Sequence, residues 1–209
     1  MQKTMINDLT QGSVIKQLLR FAAPLVLANI LQMVYNIVDM VIIGQFVGTA
    51  GISAVANGGD ILMVFASLSI GCCGAGQIIV SQYVGKNDRA AVNKTIGTMM
   101  SFMVILAICL SVISLCASKW ALRLINTPAE AFDMAVDYTT VCFTGLLFIF
   151  GYNAVSAIMR GMGDGKRPLI FIAIASVVNL VLDLLFVAVF HMAAFGAALA
   201  TVIGQGVAF

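Results

Sequence analysis

Charge is what this sequence has least of. Of its 209 residues only 10% are Asp, Glu, Lys or Arg, 61% are hydrophobic, and mean hydropathy is +1.06. A soluble domain carries about 25% charged residues. The composition excludes a water-exposed globule and implies an integral membrane protein. The net charge of +2 is not gathered into a patch; the basic residues stand between apolar runs, which excludes nucleic acid as a partner. His191 is the single histidine and no role attaches to it. Cys72, Cys73, Cys109, Cys116 and Cys142 all fall inside apolar runs without the Cys/His spacing of a metal site, and read as small packing residues. The alternating pattern of lipid-facing strands is missing, so a β-barrel is excluded and the fold class is all-α. Nothing calls for an organic cofactor.

What is present is a set of long apolar runs. Phe21 to Val47 holds one formal charge, Asp39. At about 1.5 Å per residue this stretch crosses a hydrocarbon core of about 30 Å with some tilt. Asn29, Gln32, Asn36 and Asp39 follow at i, i+3, i+7 and i+10 and are read as one polar stripe. A carboxylate facing lipid costs about 2.5–3.5 kcal/mol, so the stripe is expected to face protein or a wet cavity. Six segments emerge, roughly 15–45, 51–79, 93–117, 135–159, 168–190 and 194–209, forming a transmembrane lobe over 15–209 behind a cytoplasmic N-terminus, 1–14. Lys3, Lys16 and Arg20 precede an apolar run too long for a secretory signal, so that run is retained as the first span. Lys3, Lys16, Arg20, Lys86, Arg89, Lys94, Arg160, Lys166 and Arg167 fall on one side, leaving Lys119 and Arg123 on the other. By the positive-inside rule the N-terminus is cytoplasmic, in a cell membrane. The last segment has no polar exit, and the chain is expected to stop inside its sixth helix.

Depth then sorts the polar residues. Asp39, Asp183 and Thr201 are expected at one level in the outer half of the bilayer. Ser176, Asn179 and Asp183 share a face, as do Thr201 and Gln205; Asn153, Ser156 and Arg160 line up on the fourth segment, with Asn153 nearer the midplane. Two carboxylates, an amide and a hydroxyl make an oxygen-rich site that can hold Na⁺ or a proton shared between two acids. The alternative is a hydrogen-bond network that glues helices together. The absence of Lys or Arg at that depth favours function. Asp60, after Asn57-Gly58-Gly59, is expected at a helix entry or cleft rim. Ser67, Gly71, Gly74 and Gly76 suggest close helix packing, and Met33 and Tyr35 an adaptable cavity. Gly161-Met162-Gly163-Asp164 matches the GxGD pattern of intramembrane aspartyl proteases. It lies among Arg160, Lys166 and Arg167 before Pro168, where a tight basic turn explains it better.

Five stretches in order carry a resemblance. These are Pro24 with QMVYNIVDMVIIG (32–44), SQYVGKND (81–88), RGMGDGKRP (160–168), NLVLD (179–183) and GAALAT (196–201). Together they resemble multidrug and toxic compound extrusion (MATE) transporters. The resemblance implies a twelve-helix antiporter of two six-helix lobes, with this chain as the N-terminal lobe and the C-terminal lobe as its missing partner. It implies a cation site at Asp39, Asn179, Asp183 and Thr201, with H⁺ or Na⁺ as coupling ion. It places Gln32, Tyr35, Asn36 and Asn153 toward a substrate cleft for small, often cationic or amphipathic compounds. Such a protein is not an enzyme. A lipid-linked sugar flippase of the same superfamily remains the alternative, although its cavity would need basic residues; an ion channel would need a filter, and a scaffold would leave the paired acids unexplained.

Overall fold

The computed structural model describes residues 13–209; the basic N-terminal stretch containing Lys3 lies outside the described residues. The chain forms α1 (Val14–Phe46), α2 (Thr49–Gly85), α3 (Arg89–Leu124), α4 (Ala129–Thr144), α5 (Leu146–Gly161), α6 (Lys166–Asp183) and α7 (Ala193–Ala208). No strand occurs among the described residues. α1, α2 and α3 are each long and apolar enough to cross a membrane. So is α6 together with the π-helical turn Leu184–Val189 that continues it. α4 and α5 form one crossing bent by 50° at Gly145. α7, of 16 residues, packs beside them as the sixth member of the bundle.

The fourth crossing is a single segment in the sequence and a broken one in the structure. Breaking a helix inside hydrocarbon frees carbonyls that no water can satisfy. Here the hydroxyl of Ser111 on α3 donates to Phe143 O at 2.6 Å, while Val141 O keeps its backbone bond from Gly145 N–H at 3.1 Å and also accepts from Thr144 Oγ1 at 2.6 Å. Gly145 is needed at the corner because a Cβ there would collide with Val202 of α7. The break therefore lets the corner sit directly on α7.

Where α2, α3 and α5 meet the end of α4, Met103, Phe143, Leu146 and Phe150 are buried among Ala107, Ala154 and Ala157. Where α2 and α4 meet α7, the core is made of Ala54, Ala131, Ala135, Ala194 and Ala198 around Tyr138. Small residues allow helices to approach closely where lipid supplies no hydrophobic driving force. The outside is apolar instead: Phe102, Ile105, Ile108, Val112 and Ile113 on α3 are all exposed, as lipid contact requires.

Two close approaches show which ends lie together. Gly161 at the end of α5 abuts Gln77 O and Val80 of α2, and Gly165 before α6 abuts Phe21 O and Pro24 of α1. One end of the bundle therefore gathers Lys86, Arg89, Lys94, Arg160, Lys166 and Arg167. Gly76 packs against Met99, but Gly71 and Gly74 meet nothing within 4 Å. Those two do not serve packing inside this lobe, contrary to the expectation for them. We expect Gly161→Ala to lower the thermal stability of the purified protein in detergent by roughly 1–3 kcal/mol, because the added Cβ would meet the Gln77 carbonyl at 2.8 Å. Gly71→Ala, with open space around it, should not; melting curves of the two variants side by side check this.

Candidate cation-binding site

α6 presents Asn179 and Asp183 one turn apart on the face that meets α1 and α7. Both are almost fully buried, Asp183 at 1% exposure and Asn179 at 3%. α1 brings Asp39 to the same place and α7 brings Thr201. With its amide oriented so that donors meet acceptors, the Asn179 NH₂ donates to Asp39 Oδ1 at 3.0 Å and to Asp183 Oδ2 at 3.2 Å. Its carbonyl then accepts from the Thr201 backbone N–H at 3.2 Å. The reverse orientation would donate to Thr201 Oγ1 at 3.5 Å but aim a carbonyl oxygen at two carboxyl groups, so the first is the one that chemistry supports.

Two features of the cluster bear on its chemistry. The Asp39 and Asp183 carboxyls converge on the same Asn179 amide, an arrangement whose mutual repulsion a proton or a cation between them would relieve. Asp183 Oδ1 and Gln205 Oε1 are buried without a hydrogen-bond partner. A small cavity of about 10 Å³ lies beside Gln205, bordered also by Tyr35, Ser176, Asn179, Thr201 and Gly204; Asn179 and Thr201 belong both to its wall and to the acid cluster. That is about the space one water or one small ion needs. Ser176 contributes little, since its hydroxyl donates to Ile172 O at 2.8 Å within its own helix. The two carboxyls and the Thr201 hydroxyl are hard oxygen groups, suited to Na⁺ or to a shared proton rather than to a soft transition metal, while the Asn179 amide turns its NH₂ to the acids.

Comparison with known proteins adds the family. The MatE family profile matches residues 24–185. The chain belongs to the MatE family. It is 38% identical to the probable multidrug resistance protein YpnP of Bacillus subtilis (strain 168), over 97% of this chain and 45% of that protein. It is 29% identical to the probable multidrug resistance protein YoeA of the same organism, over 93% and 43%. In fold it superposes on a MOP superfamily transporter from Pyrococcus furiosus with TM-score 0.91 at 24% identity, covering 100% of this chain and 45% of that one. The outward-facing conformation of a multidrug resistance MATE family transporter gives TM-score 0.89, also at 24% identity, over 94% and 44%. The chain spans less than half the length of these relatives: one six-helix lobe of a two-lobe design.

Against this MatE lobe, the remaining sequence expectations divide. The stripe on α1 is two lines. Gln32 and Asp39, seven apart, are half-buried, whereas Asn29 and Asn36, also seven apart, are exposed. At 100° per residue the pairs sit about 60° apart round the helix. Tyr35, three residues after Gln32, borders the small cavity beside Asn179 and Gln205. Asn36 instead lines an open groove of about 630 Å³ with Met33, Met40, Gln45 and Ile52. Asn153 is tied elsewhere, donating to Ser69 Oγ at 3.2 Å between α5 and α2. Arg160 belongs to α5 rather than to the loop and donates from Nε to Gln77 Oε1 at 3.0 Å. Asp164 accepts from the N–H groups of Lys166 (3.0 Å) and Arg167 (3.2 Å) and pairs with Arg167 Nε at 3.1 Å. It starts α6 and has no second acid beside it to form a protease dyad.

Gly204 was not singled out by sequence reasoning. A Cβ there would lie 3.2 Å from Ala175 O and from Asn179 Cβ, so glycine lets α7 close on α6. The small-residue spacing Ala200–Gly204 was the available signal. Removing the amide from this site should be costly. Asn179→Leu leaves both carboxyls without their donor and should destabilise the detergent-solubilised protein by about 1–3 kcal/mol. Thr201→Val, which keeps the backbone N–H, should cost clearly less; thermal unfolding of both variants is the measurement.

Proposed function

We propose that this chain is the N-terminal lobe of a cation-coupled antiporter that exports small, often cationic or amphipathic compounds by alternating access. Its N-terminus is cytoplasmic, a reading supported by Lys86 and five basic residues at helix ends (Arg89, Lys94, Arg160, Lys166 and Arg167) gathering at the end where α1 begins. The observation that carries the reading is the buried Asp183 carboxyl facing Asp39 across Asn179, with no Lys or Arg among them. An intramembrane acid without a counter-charge is costly to keep unless a coupling ion visits it. The names of the relatives, multidrug resistance proteins, supply the class of cargo.

In this mechanism Na⁺ or H⁺ enters from outside and binds at Asp39, Asn179, Asp183 and Thr201. Neutralising the acids draws α1 and α6 together. Because α1 also carries Gln32 and Tyr35 on the cavity side and Asn36 on the open side, its shift changes the surface offered to substrate, with Asn153 lining the cleft deeper in. Substrate leaves outward; the ion is lost to the cytoplasm when the lobe relaxes. To drive such a switch from 1:99 to 99:1, the ion must bind one state about 10⁴-fold more tightly than the other, which a dry carboxylate pair can supply. Pro24 inside α1 offers a place for the helix to bend, since its ring leaves one backbone carbonyl unbonded. A flippase for large anionic head groups fits less well, because Arg160 is held by Gln77.

The test uses the full-length product of the gene in membrane vesicles. Asp39→Asn and Asp183→Asn should each reduce efflux driven by an imposed Na⁺ or pH gradient at least about tenfold, the effect expected of losing ~1.4 kcal/mol or more of coupling. Undiminished efflux in both variants would refute an ion site in this lobe. Whichever gradient drives the wild-type protein identifies the ion.

A further inference from the structure

We propose that Asp60, on the open face of α2, is the carboxylate that recognises the positive charge of the exported compound, an amphipathic organic cation. The proposal rests on the antiport reading and goes beyond it by assigning a charge-recognition site separate from the coupling pair. Asp60 is exposed and lies well inside α2 (Thr49–Gly85) rather than at its entry. It has no ion pair and no hydrogen bond among the described residues.

Its depth follows from counting. From Asn87 in the α2–α3 turn, Lys119 lies 119 − 87 = 32 residues along α3, and Asp60 lies 87 − 60 = 27 residues back along the antiparallel α2. The difference of five residues puts the Asp60 carboxylate about 7.5 Å deeper than Lys119, inside the apolar layer. On α1, Asn36 stands twelve residues before Gly48, and on α2 Asp60 stands twelve after it. The two exposed polar groups are therefore level, about 18 Å from the turn that joins their helices.

A carboxylate cannot rest against lipid at that depth without a cost of about 2.5–3.5 kcal/mol at the bilayer centre. The face that bears it must look onto protein or water. Its surroundings are those of a wall rather than a packed contact. Gly59 beside it meets nothing within 4 Å, and Gly71 and Gly74 further along α2 are equally open. Met63 and Val64, one turn on, are exposed at 68% and 67%. Across the turn, Asn36 and Met33 line the groove of about 630 Å³ that Ile52 of α2 also borders.

A single negative charge set among thioether and aliphatic surface, with small residues leaving room, suits a cation with a hydrophobic body. The charge meets the carboxylate, and the flexible Met side chains adapt to the body. The contrast with Asp164 is informative. That acid is neutralised by Arg167 and by two backbone N–H groups, while Asp60 is left to be neutralised from outside the lobe.

The experiment measures binding and transport separately on the full-length protein. Ethidium and tetraphenylphosphonium are the cationic probes and chloramphenicol the neutral one. Asp60→Asn should raise Kd and KM for both cations about tenfold, the loss of one charge-assisted contact, and leave chloramphenicol within about twofold. Asp60→Glu should recover most of the cation affinity. The proposal is overturned if Asp60→Asn leaves ethidium binding unchanged, if wild type fails to bind ethidium, or if charged and neutral probes suffer equally. The last result would show Asp60 bonded to the rest of the protein. Failure of the antiport reading looks different: ethidium binds wild type and weakens with Asp60→Asn, but no ion gradient drives efflux.

Discussion

Hydrocarbon offers no partner to a carboxyl group, and that constraint organises the lobe. Asp183 is buried on a helix whose other residues are almost all apolar, so its hydrogen bonds must come from neighbouring helices. Asn179 supplies one donor to it and one to Asp39, joining α6 to α1. The same amide accepts from the backbone of α7, which reaches it only because Gly204 lacks a side chain. Three helices are thus held in register by one amide. What it leaves unsatisfied is Asp183 Oδ1, buried without a hydrogen-bond partner.

The departures from regular helix follow the same accounting. At Gly145 the Phe143 carbonyl is met by the Ser111 hydroxyl of α3. After Asp183, the π turn closes with Phe190 N–H on Leu185 O at 2.9 Å, so the backbone changes pitch without leaving a donor exposed to lipid. Wide turns of this kind concentrate at functional positions because the extra residue re-aims the side chains around it. Here the change of pitch begins immediately after the buried acid. α6 can therefore present Asn179 and Asp183 in α-helical register to α1 and α7, while Val187 beyond the transition still turns into the core.

Much of this was legible from the residues and some was not, for identifiable reasons. That Asp39 and Asp183 meet follows from depth alone: two acids at one level in apolar helices have nowhere cheaper to go. That Asn179 and Thr201 join them follows from helix spacing on α6 and from the resemblance. The break at Gly145 was hidden because glycine in an apolar run reads alike whether it bends a helix or admits a neighbour, and here it does both. The polar line on α1 was read as one stripe because spacings of three and seven both look helical. Three residues advance 300° and seven advance 700°, so the two pairs drift apart by about 60°, enough to separate a buried face from an open one. Gly71 and Gly74 were read as packing residues because sequence does not say which side of a helix its own lobe occupies.

That drift on α1 gives the lobe its working logic. The helix turns Gln32 and Asp39 inward, toward α6 and α7, and Asn29 and Asn36 outward, toward the groove beside α2. Asp39 and the polar line on the open side stand on one continuous helix, Val14–Phe46. Rotation of α1 by a few tens of degrees would exchange which line faces the cavity, a movement comparable to the angle that already separates them. The contact between α1 and α2 is tight where Gly44 and Gly51 admit Ile52 and Val47, so that end is the natural pivot. Pro24 lies toward the other end, where one carbonyl is released from the helix. In the proposed antiport cycle this one helix would link the buried carboxyls to a groove lined by Met33, Asn36, Met40, Gln45 and Ile52, a surface that bears no formal charge of its own.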